Sequence, residues 1–417
     1  FPLLVLVISA LFFAGAPTWG AELAGEINVL SWGDEARFKA VLDDFRQKYP
    51  AIKLNYIGGP YGEHLDKFKT MVASGAPPDI ALIDGYDYAT LAAQGLLMDL
   101  TTWAERDGIL EELREQLHPA YLQEMTYQGR LYSIAPMLTG ELGFFYNKDI
   151  LSEVGYPDLK ALGANWTWDA FVELAQLATK DVDGNGTFDR TGFSPADWQF
   201  WPWVLMNGGR LISEDMSYSP FDAAEAYEAL QFLSDLRNVY RVTSGGNLQR
   251  WLDGSVAMRE GWVSAETNSL ASSAINWDMA YFPAGKAGSV TISKGNELVI
   301  PYNAVNKELA WEFMKYAASE EAYYLHGANR SFFPPRRDAA VRVLELGGYP
   351  EFIREFMTQA DIRPLPVING FRAVYDIWVA EMRPLWGGQV SAREAGQRVA
   401  ERTRIALSEA RGAVANR

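Results

Sequence analysis

The 417-residue sequence contains no cysteine. That absence excludes disulfides, thiolate nucleophiles, cysteine-ligated zinc and a lipid carried on an N-terminal cysteine. It leaves the redox compartment open, because a chain without thiols is indifferent to it. Histidine is nearly as scarce, with His64, His118 and His326 the three copies. No HExxH pair occurs, and no glycine-rich phosphate loop ends in Lys-Ser or Lys-Thr. Each lone histidine reads as a surface or packing residue. Cations are in deficit, 37 Lys and Arg against 53 Asp and Glu, for a formal net charge of −16 and a pI of about 4.8. A general attraction to phosphate backbones or anionic lipid surfaces is thereby opposed, so nucleic acid is a poor partner. Apolar runs are short as well: the stretch from Leu3 to Phe13 falls well below the ~20 residues needed to span a bilayer.

That stretch is followed by small residues and a first charge at Glu22, an order that predicts a secretory signal over 1–21 with cleavage near Gly20 or Ala21. The expected location is periplasmic or otherwise extracytoplasmic, with no cysteine available for a lipoprotein anchor. What the chain does have is core-forming material. Hydrophobic residues make up 48% and charged residues 22%, enough for one large core and more readily two.

Strand and helix patterns alternate through the first part of the chain. Glu26 to Trp32 reads as a strand, and Ala36 to Tyr49 as a helix with Phe38, Val41, Leu42 and Phe45 on one face. IKLNYIG reads as a second strand, EHLDKFKTMVASG as a helix ending at Gly75, and PPDIALID as a third strand opening onto Asp84. This order argues for a parallel α/β unit, whose ligand sites form at the carboxyl ends of strands: 32–35 and 84–88 here. A second unit begins near GELGFFYNKDIL, with a strand over Leu142 to Tyr146 and helices over Trp168 to Thr179 and Phe221 to Leu236. WDMAYFPAG and ELVIPYN read as further strands, and LAWEFMKYAASEEAYYLHG as one long helix. From about Phe352 to Ala410 the pattern is helical, interrupted by RPLPVING and LWGGQVS. No repeat or low-complexity linker separates the two units.

The segment DVDGNGTFDRTGF, Asp181 to Phe193, places Asp181, Asp183, Asn185 and Asp189 at positions 1, 3, 5 and 9 of a calcium loop, with Gly186 at the turn. Position 12 is Gly192 in place of the bidentate glutamate. The loop is therefore either a structural Ca2+ site completed from elsewhere or a metal-free polar turn. On both readings it is scaffold, and no other cofactor is required.

Aromatic residues are abundant: 14 Trp, 20 Tyr and 21 Phe. Trp32, Tyr86, Trp198, Trp201, Trp203 and Trp262 stand beside turns or strand ends, whereas Trp311 and Trp378 lie on helical patterns and read as core. An indole at a polar junction offers a flat apolar face and one donor, which suits a sugar ring with its CH-rich face and hydroxyl rim.

The ordered set SGAPPDIALID, GFFYNKDIL, NWTWDAFVELAQLAT, MNGGRLI, DGSVAMREGW and ELAWEFMKYAASEEA resembles the family 1 extracellular solute-binding proteins of ABC importers, which include maltose-binding and glycerophosphodiester-binding proteins. The resemblance covers nearly the whole chain after Ala21. It implies an α/β fold of two lobes, each a mainly parallel sheet flanked by helices, with an interlobe cleft and chain crossings. It places 22–138 and 295–345 in the first lobe, and 139–294 and 346–417 in the second. Carried onto this chain, the family's binding positions imply Trp32, Asp34, Glu35, Asp84, Tyr86, Thr139, Trp198, Trp262, Arg330, Phe332, Asn369 and Arg372. Asn296 and Glu297 occupy a crossing where the family usually has glycines. The implied activity is capture of a mono- or oligosaccharide by a monomeric protein that is not an enzyme, with delivery to a membrane permease. Arg259, Arg330, Arg336, Arg337 and Arg372 keep a glycerophosphodiester or polyol phosphate open as the solute. An extracellular glycoside hydrolase is the enzymatic alternative, although no linear spacing identifies its carboxylate pair.

Overall fold

The computed structural model describes residues 23–196, 199–243 and 245–415. The expected signal and Trp198 lie outside these residues, as does the side chain of Thr139. Among the described residues, no helix is long and apolar enough to cross a membrane.

Eleven strands form among the described residues: β1 (Gly25–Leu30), β2 (Ile52–Ile57), β3 (Ile80–Asp84), β4 (Thr126–Tyr127), β5 (Arg130–Leu131), β6 (Pro136–Asn147), β7 (Thr191–Ser194), β8 (Val256–Trp262), β9 (Trp277–Ala280), β10 (Thr291–Val299) and β11 (Ile362–Pro364). Nine of them join one sheet of order β2-β1-β3-β10-β6-β8-β7, with β11 on β10 and β9 on β6. The first lobe pairs β1 in parallel with β2 and β3. In the second lobe β7 and β8 are parallel, while β6 runs antiparallel to β8 and β9. Both lobes are thus α/β; within the nine-stranded sheet the antiparallel pairings all involve the strands that cross between them, and β4 and β5 form a separate antiparallel pair.

The crossing strands are β6 and β10, antiparallel to each other. Met137 and Leu298 belong to the first-lobe core with Ile27, Val29, Phe45 and Trp311. Leu142, Phe144, Tyr146 and Ile292 belong to the second-lobe core with Phe171, Trp203 and Trp378. Each strand therefore roots one end in each core. Along β10 the register against β6 shifts between Lys294 and Asn296, and Asn296 to Val299 then pair with β3. This irregularity lies where β10 passes from one core to the other, and a bulge of this kind bends the strand there.

Local signals account for most elements. Phe38, Val41, Leu42 and Phe45 are buried as their spacing requires, over a 3-10 turn (Glu35–Phe38) and a helix (Lys39–Lys48). The predicted single helix beginning at Leu309 is two, Lys307–Ala317 and Glu320–Ala328. Ser319 breaks it: its extended backbone and a hydroxyl accepting from Ala322 N–H form an N-cap, with Glu320 and Glu321 in the following turn. The interruption expected at RPLPVING opens within β11, a three-residue strand recruited by the edge of β10. Trp311 and Trp378 are fully buried, as are Trp201 and Trp203. These last two are core and not solute contacts, because neither leaves a face free.

Candidate functional site

β3 ends at Asp84, which at once caps the helix Gly85–Ala93: its Oδ1 accepts the Tyr86 N–H at 2.9 Å. The other carboxylate oxygen accepts the Tyr61 hydroxyl at 2.7 Å and the Lys294 ammonium at 3.2 Å. Lys294 comes from β10, beside Asn296, whose Oδ1 it also reaches at 3.0 Å. From the second lobe, Arg372 on the helix Phe371–Trp386 donates to both oxygens of Asp87, at 3.2 and 2.7 Å, and to Tyr61 Oη at 3.4 Å. Just before that helix, the Gly370 N–H donates to Thr90 Oγ1 at 2.9 Å. Asp84, Asp87 and Thr90 thus form one face onto which the second lobe docks.

Aromatic faces complete the cluster. Tyr86 and Tyr375 stack at 4.3 Å between ring centroids. The Lys294 ammonium and the Arg372 guanidinium lie 4.5 and 4.7 Å from the Tyr86 centroid, within cation–π range. Trp32 meets Tyr61 and His64 edge-on at 5.5 and 5.0 Å. Trp262, at the end of β8, covers Gly140: a Cβ there would come 3.4 Å from the indole Cε3. Gly140 is the ladder partner of Lys294, so Trp262 stands next to the ionic cluster. Tyr61 is exposed, and Trp32, Trp262, Arg372 and Tyr375 are half-buried. A solute can therefore reach rings and donors contributed by both lobes.

The charges are matched. Burial alone would raise the Asp84 carboxyl, but Lys294, the Tyr61 hydroxyl, the Tyr86 N–H and Arg372 together hold it below its usual range. Burial would likewise lower Arg372, yet its bonds to Asp87 and Tyr61 and the charge of Asp84 hold it above the ordinary arginine value. Burial, reinforced by Asp84, raises the Tyr61 and Tyr86 phenols. At neutral pH Asp84 is therefore a carboxylate and Arg372 a cation, and the Tyr61 and Tyr86 phenols stay protonated.

Several positions implied by the resemblance lie elsewhere. Asp34 caps the 3-10 turn through Ala36 N–H, and Glu35 pairs with Arg46 at 2.8 Å, both on the first lobe. Phe332 is core, stacked on His326 at 4.4 Å. Arg330, at φ 54°, lies over Tyr349 at 5.0 Å. Asn369 donates to the Ala410 carbonyl at 2.8 Å, tying the chain before the Phe371–Trp386 helix to the last helix. Glu297 is 1% exposed and turns away from Asp84, because successive strand residues point to opposite faces. Trp32, Asp84, Tyr86, Trp262, Asn296 and Arg372 are the implied residues that converge.

Tyr61, Asp87, Lys294 and Tyr375 join them without having been singled out in the sequence. Tyr61 follows the turn GGP and Lys294 interrupts an apolar strand beside glycine, signals of the same kind as those used for Trp32 and Trp262. Nothing local marks Asp87, which is defined by its partner 285 residues away.

The acidic loop lies between the helix Trp168–Ala178 and β7. Oxygens of Asp181, Asp183 and Asp189 come within 4.8 Å of one another. Asp181 accepts N–H groups of Gly184, Asn185 and Gly186, and Asp189 those of Val182 and Asp183. Gly192 is glycine for a packing reason: a Cβ there would sit 2.1 Å from the Ala175 carbonyl oxygen. Close approach of β7 to the helix thus removes the glutamate that a calcium loop carries at position 12. Since the loop touches none of the cluster residues, chelation of calcium should leave solute affinity unchanged within twofold, as calorimetry with and without EDTA would show.

Two α/β lobes joined by two crossing strands, with rings and ion pairs from both meeting beside the register shift of β10, are the architecture of a two-lobed binding protein. Residues 31–324 match the profile of the bacterial extracellular solute-binding proteins, and the chain belongs to that family. Solved structures share the fold. An ABC substrate-binding protein of Listeria monocytogenes in complex with cycloalternan is 20% identical, with a TM-score of 0.79, covering 92% of this chain and 99% of that one. The GacH receptor of Streptomyces glaucescens, solved unliganded and with acarbose, is 21% identical at a TM-score of 0.76, covering 93% and 100%. Maltose-bound MalE3 of T. maritima is 23% identical at a TM-score of 0.76, covering 91% and 99%.

Proposed function

We propose that the protein captures a neutral mono- or oligosaccharide outside the cytoplasm, by closure of its lobes, and delivers it to the membrane permease of an ABC importer. The observation that carries this reading is the charge-matched cluster at Asp84, Asp87, Lys294 and Arg372. Both cations there already have carboxylate partners, so an anionic solute would have to displace one at the cost of leaving it buried and unpaired. Of the other arginines that could have received an anion, Arg259 pairs with Glu266 at 2.8 Å and Arg336 with Asp338 at 2.8 Å, each away from the cluster. A saccharide needs what remains: phenol and amide donors, carboxylate acceptors and exposed aromatic faces. The sugars bound by the structural neighbours support the same class. Capture and release of this kind break no bond, and the ligand favours closure by its preference for the closed form.

A thermal-shift screen of saccharides, polyols and phosphodiesters, followed by calorimetry, tests the reading. The expected result is stabilisation by a neutral saccharide, which calorimetry finds bound one to one and recovers unaltered. Trp262→Ala should weaken that saccharide by at least ~1 kcal/mol through loss of a stacking face. Stabilisation by a phosphodiester and by no sugar would overturn the assignment of solute, and release of a hydrolysed product would overturn the binding role itself.

A further inference from the structure

The reverse face of β10 carries an arrangement that solute binding does not use. Lys294 and Asn296 face Asp84, whereas Ser293, Gly295 and Glu297 turn the other way, toward the end of the helix Pro119–Glu124. There Glu124 accepts the Ser293 hydroxyl at 2.6 Å. A Cβ built on Gly295 would lie 2.2 Å from Glu297 Oε1 and 2.9 Å from Glu124 Oε2, so the two carboxyl groups crowd one bare stretch of backbone. Neither oxygen of Glu297, nor Glu124 Oε2, has a hydrogen-bond partner among the described residues. Glu124 is 6% and Glu297 1% exposed, so water does not compensate. The pair straddles the point where the register of β10 shifts, with Ser293 on one side of it and Glu297 on the other.

We propose that Glu124 and Glu297 share a proton at this bend, and that its loss drives the lobes apart. Two carboxylates this close in a low-dielectric site cannot both ionise cheaply. The groups packed around them relieve the charge only in part, the Ser293 hydroxyl, Lys294 and the Gly295 N–H favouring the Glu124 carboxylate without overcoming its burial. The Tyr88 hydroxyl donates to the Met125 carbonyl and the Tyr323 hydroxyl to that of Pro136. Glu141, across the ladder from Ser293, is itself a buried acid. The Ser133 hydroxyl and Lys294 offset part of the effect, but the ammonium is committed to Asp84 and Asn296 on the other face. Burial, and for Glu297 the neighbouring Glu124, push these carboxyls up to about 7 and about 8 from an ordinary 4.5. The sign follows: their contribution is fully present below about 4.5 and is lost as pH rises through about 7 to 8. When both are charged, repulsion acts across Gly295. The Ser293–Glu124 bond favours the charged Glu124 and holds, so the repulsion is relieved by displacement of the Gly295–Glu297 segment of β10, the strand that links the two lobes.

The absence of native cysteine allows a direct test without solute. Lys69→Cys and Glu173→Cys, on exposed helix faces of the first and second lobes, accept spin labels whose separation reports lobe opening. In the otherwise unchanged protein the distance should lengthen between pH 6 and pH 9. Glu297→Gln and Glu124→Gln, which mimic the protonated pair, should each hold it at the pH 6 value and raise the Tm at pH 9. A distance that stays constant in the unsubstituted background overturns the proposal, and so does a lengthening that persists in whichever Gln variant folds. A pH-dependent Tm abolished by glutamine, with no change of distance, also overturns it, because the pair would then act on stability alone.

Discussion

Asp84→Ala is expected to lower stability by roughly 3 kcal/mol or more, the scale found when one partner of a buried ion pair is removed. The loss arises from three contacts ending together: the N-cap bond to Tyr86 N–H, the Tyr61 hydroxyl bond and the Lys294 pair. Lys294 is the decisive one, since its half-buried charge then keeps the Asn296 oxygen and the Tyr86 ring but loses its carboxylate partner. Asp84→Asn keeps an acceptor for the cap, so it should fall between wild type and Asp84→Ala. Urea unfolding of these variants, of Lys294→Met and of the double mutant measures the pairing. A coupling energy above ~1 kcal/mol is expected for partners in direct contact. Asp84→Ala should also abolish detectable saccharide binding, because Tyr61 and Lys294 both lose the group that positions them. A variant unchanged in stability and affinity would remove Asp84 from the centre of the site.

Gly192→Glu installs the residue that a calcium loop carries at position 12, and it is expected to destabilise the protein by about 3 kcal/mol or more, whether or not calcium is present. The added Cβ alone would meet the Ala175 carbonyl oxygen at 2.1 Å and other Ala175 backbone atoms at 2.5 and 2.6 Å. Those are backbone atoms of a packed helix and cannot rotate away as a side-chain tip could. Gly192→Ala should reproduce most of the loss, which separates steric overlap from carboxylate chemistry. Thermal melts of both variants with calcium and with EDTA decide the matter. A rise in Tm for Gly192→Glu on adding calcium would mean that the backbone relaxes and the loop is a metal site lacking one ligand.

Both expectations turn on whether a residue's role is defined by its neighbours in sequence or by partners far along the chain. Phe38, Val41, Leu42 and Phe45 declare a buried face by spacing alone, and Trp311 and Trp378 are core for the same reason. The cap at Ser319 was equally legible in the run SEE, and the predicted long helix passed over it. Carboxyl ends of strands mark where ligands gather in α/β folds, so Trp32, Asp84 and Tyr86 could be singled out. That rule cannot distinguish Asp34 and Glu35, which serve a cap and a surface pair, from Asp84, which meets a lysine 210 residues later. Nor could it separate Asn296 from Glu297, since the direction of each side chain depends on the pleat of β10 and on the shift beside it.

The alternation of strand and helix, the apolar content for two cores, the lack of thiol chemistry and the family membership were all carried by residue order, because each depends on local patterning or on composition. Which cations are already neutralised, why position 192 excludes a side chain, and which two of many glutamates face each other at the bend were settled by tertiary structure. Those properties belong to pairs of groups brought together from distant segments, and the free energy of a charge or of a steric overlap depends on distances that residue order does not contain.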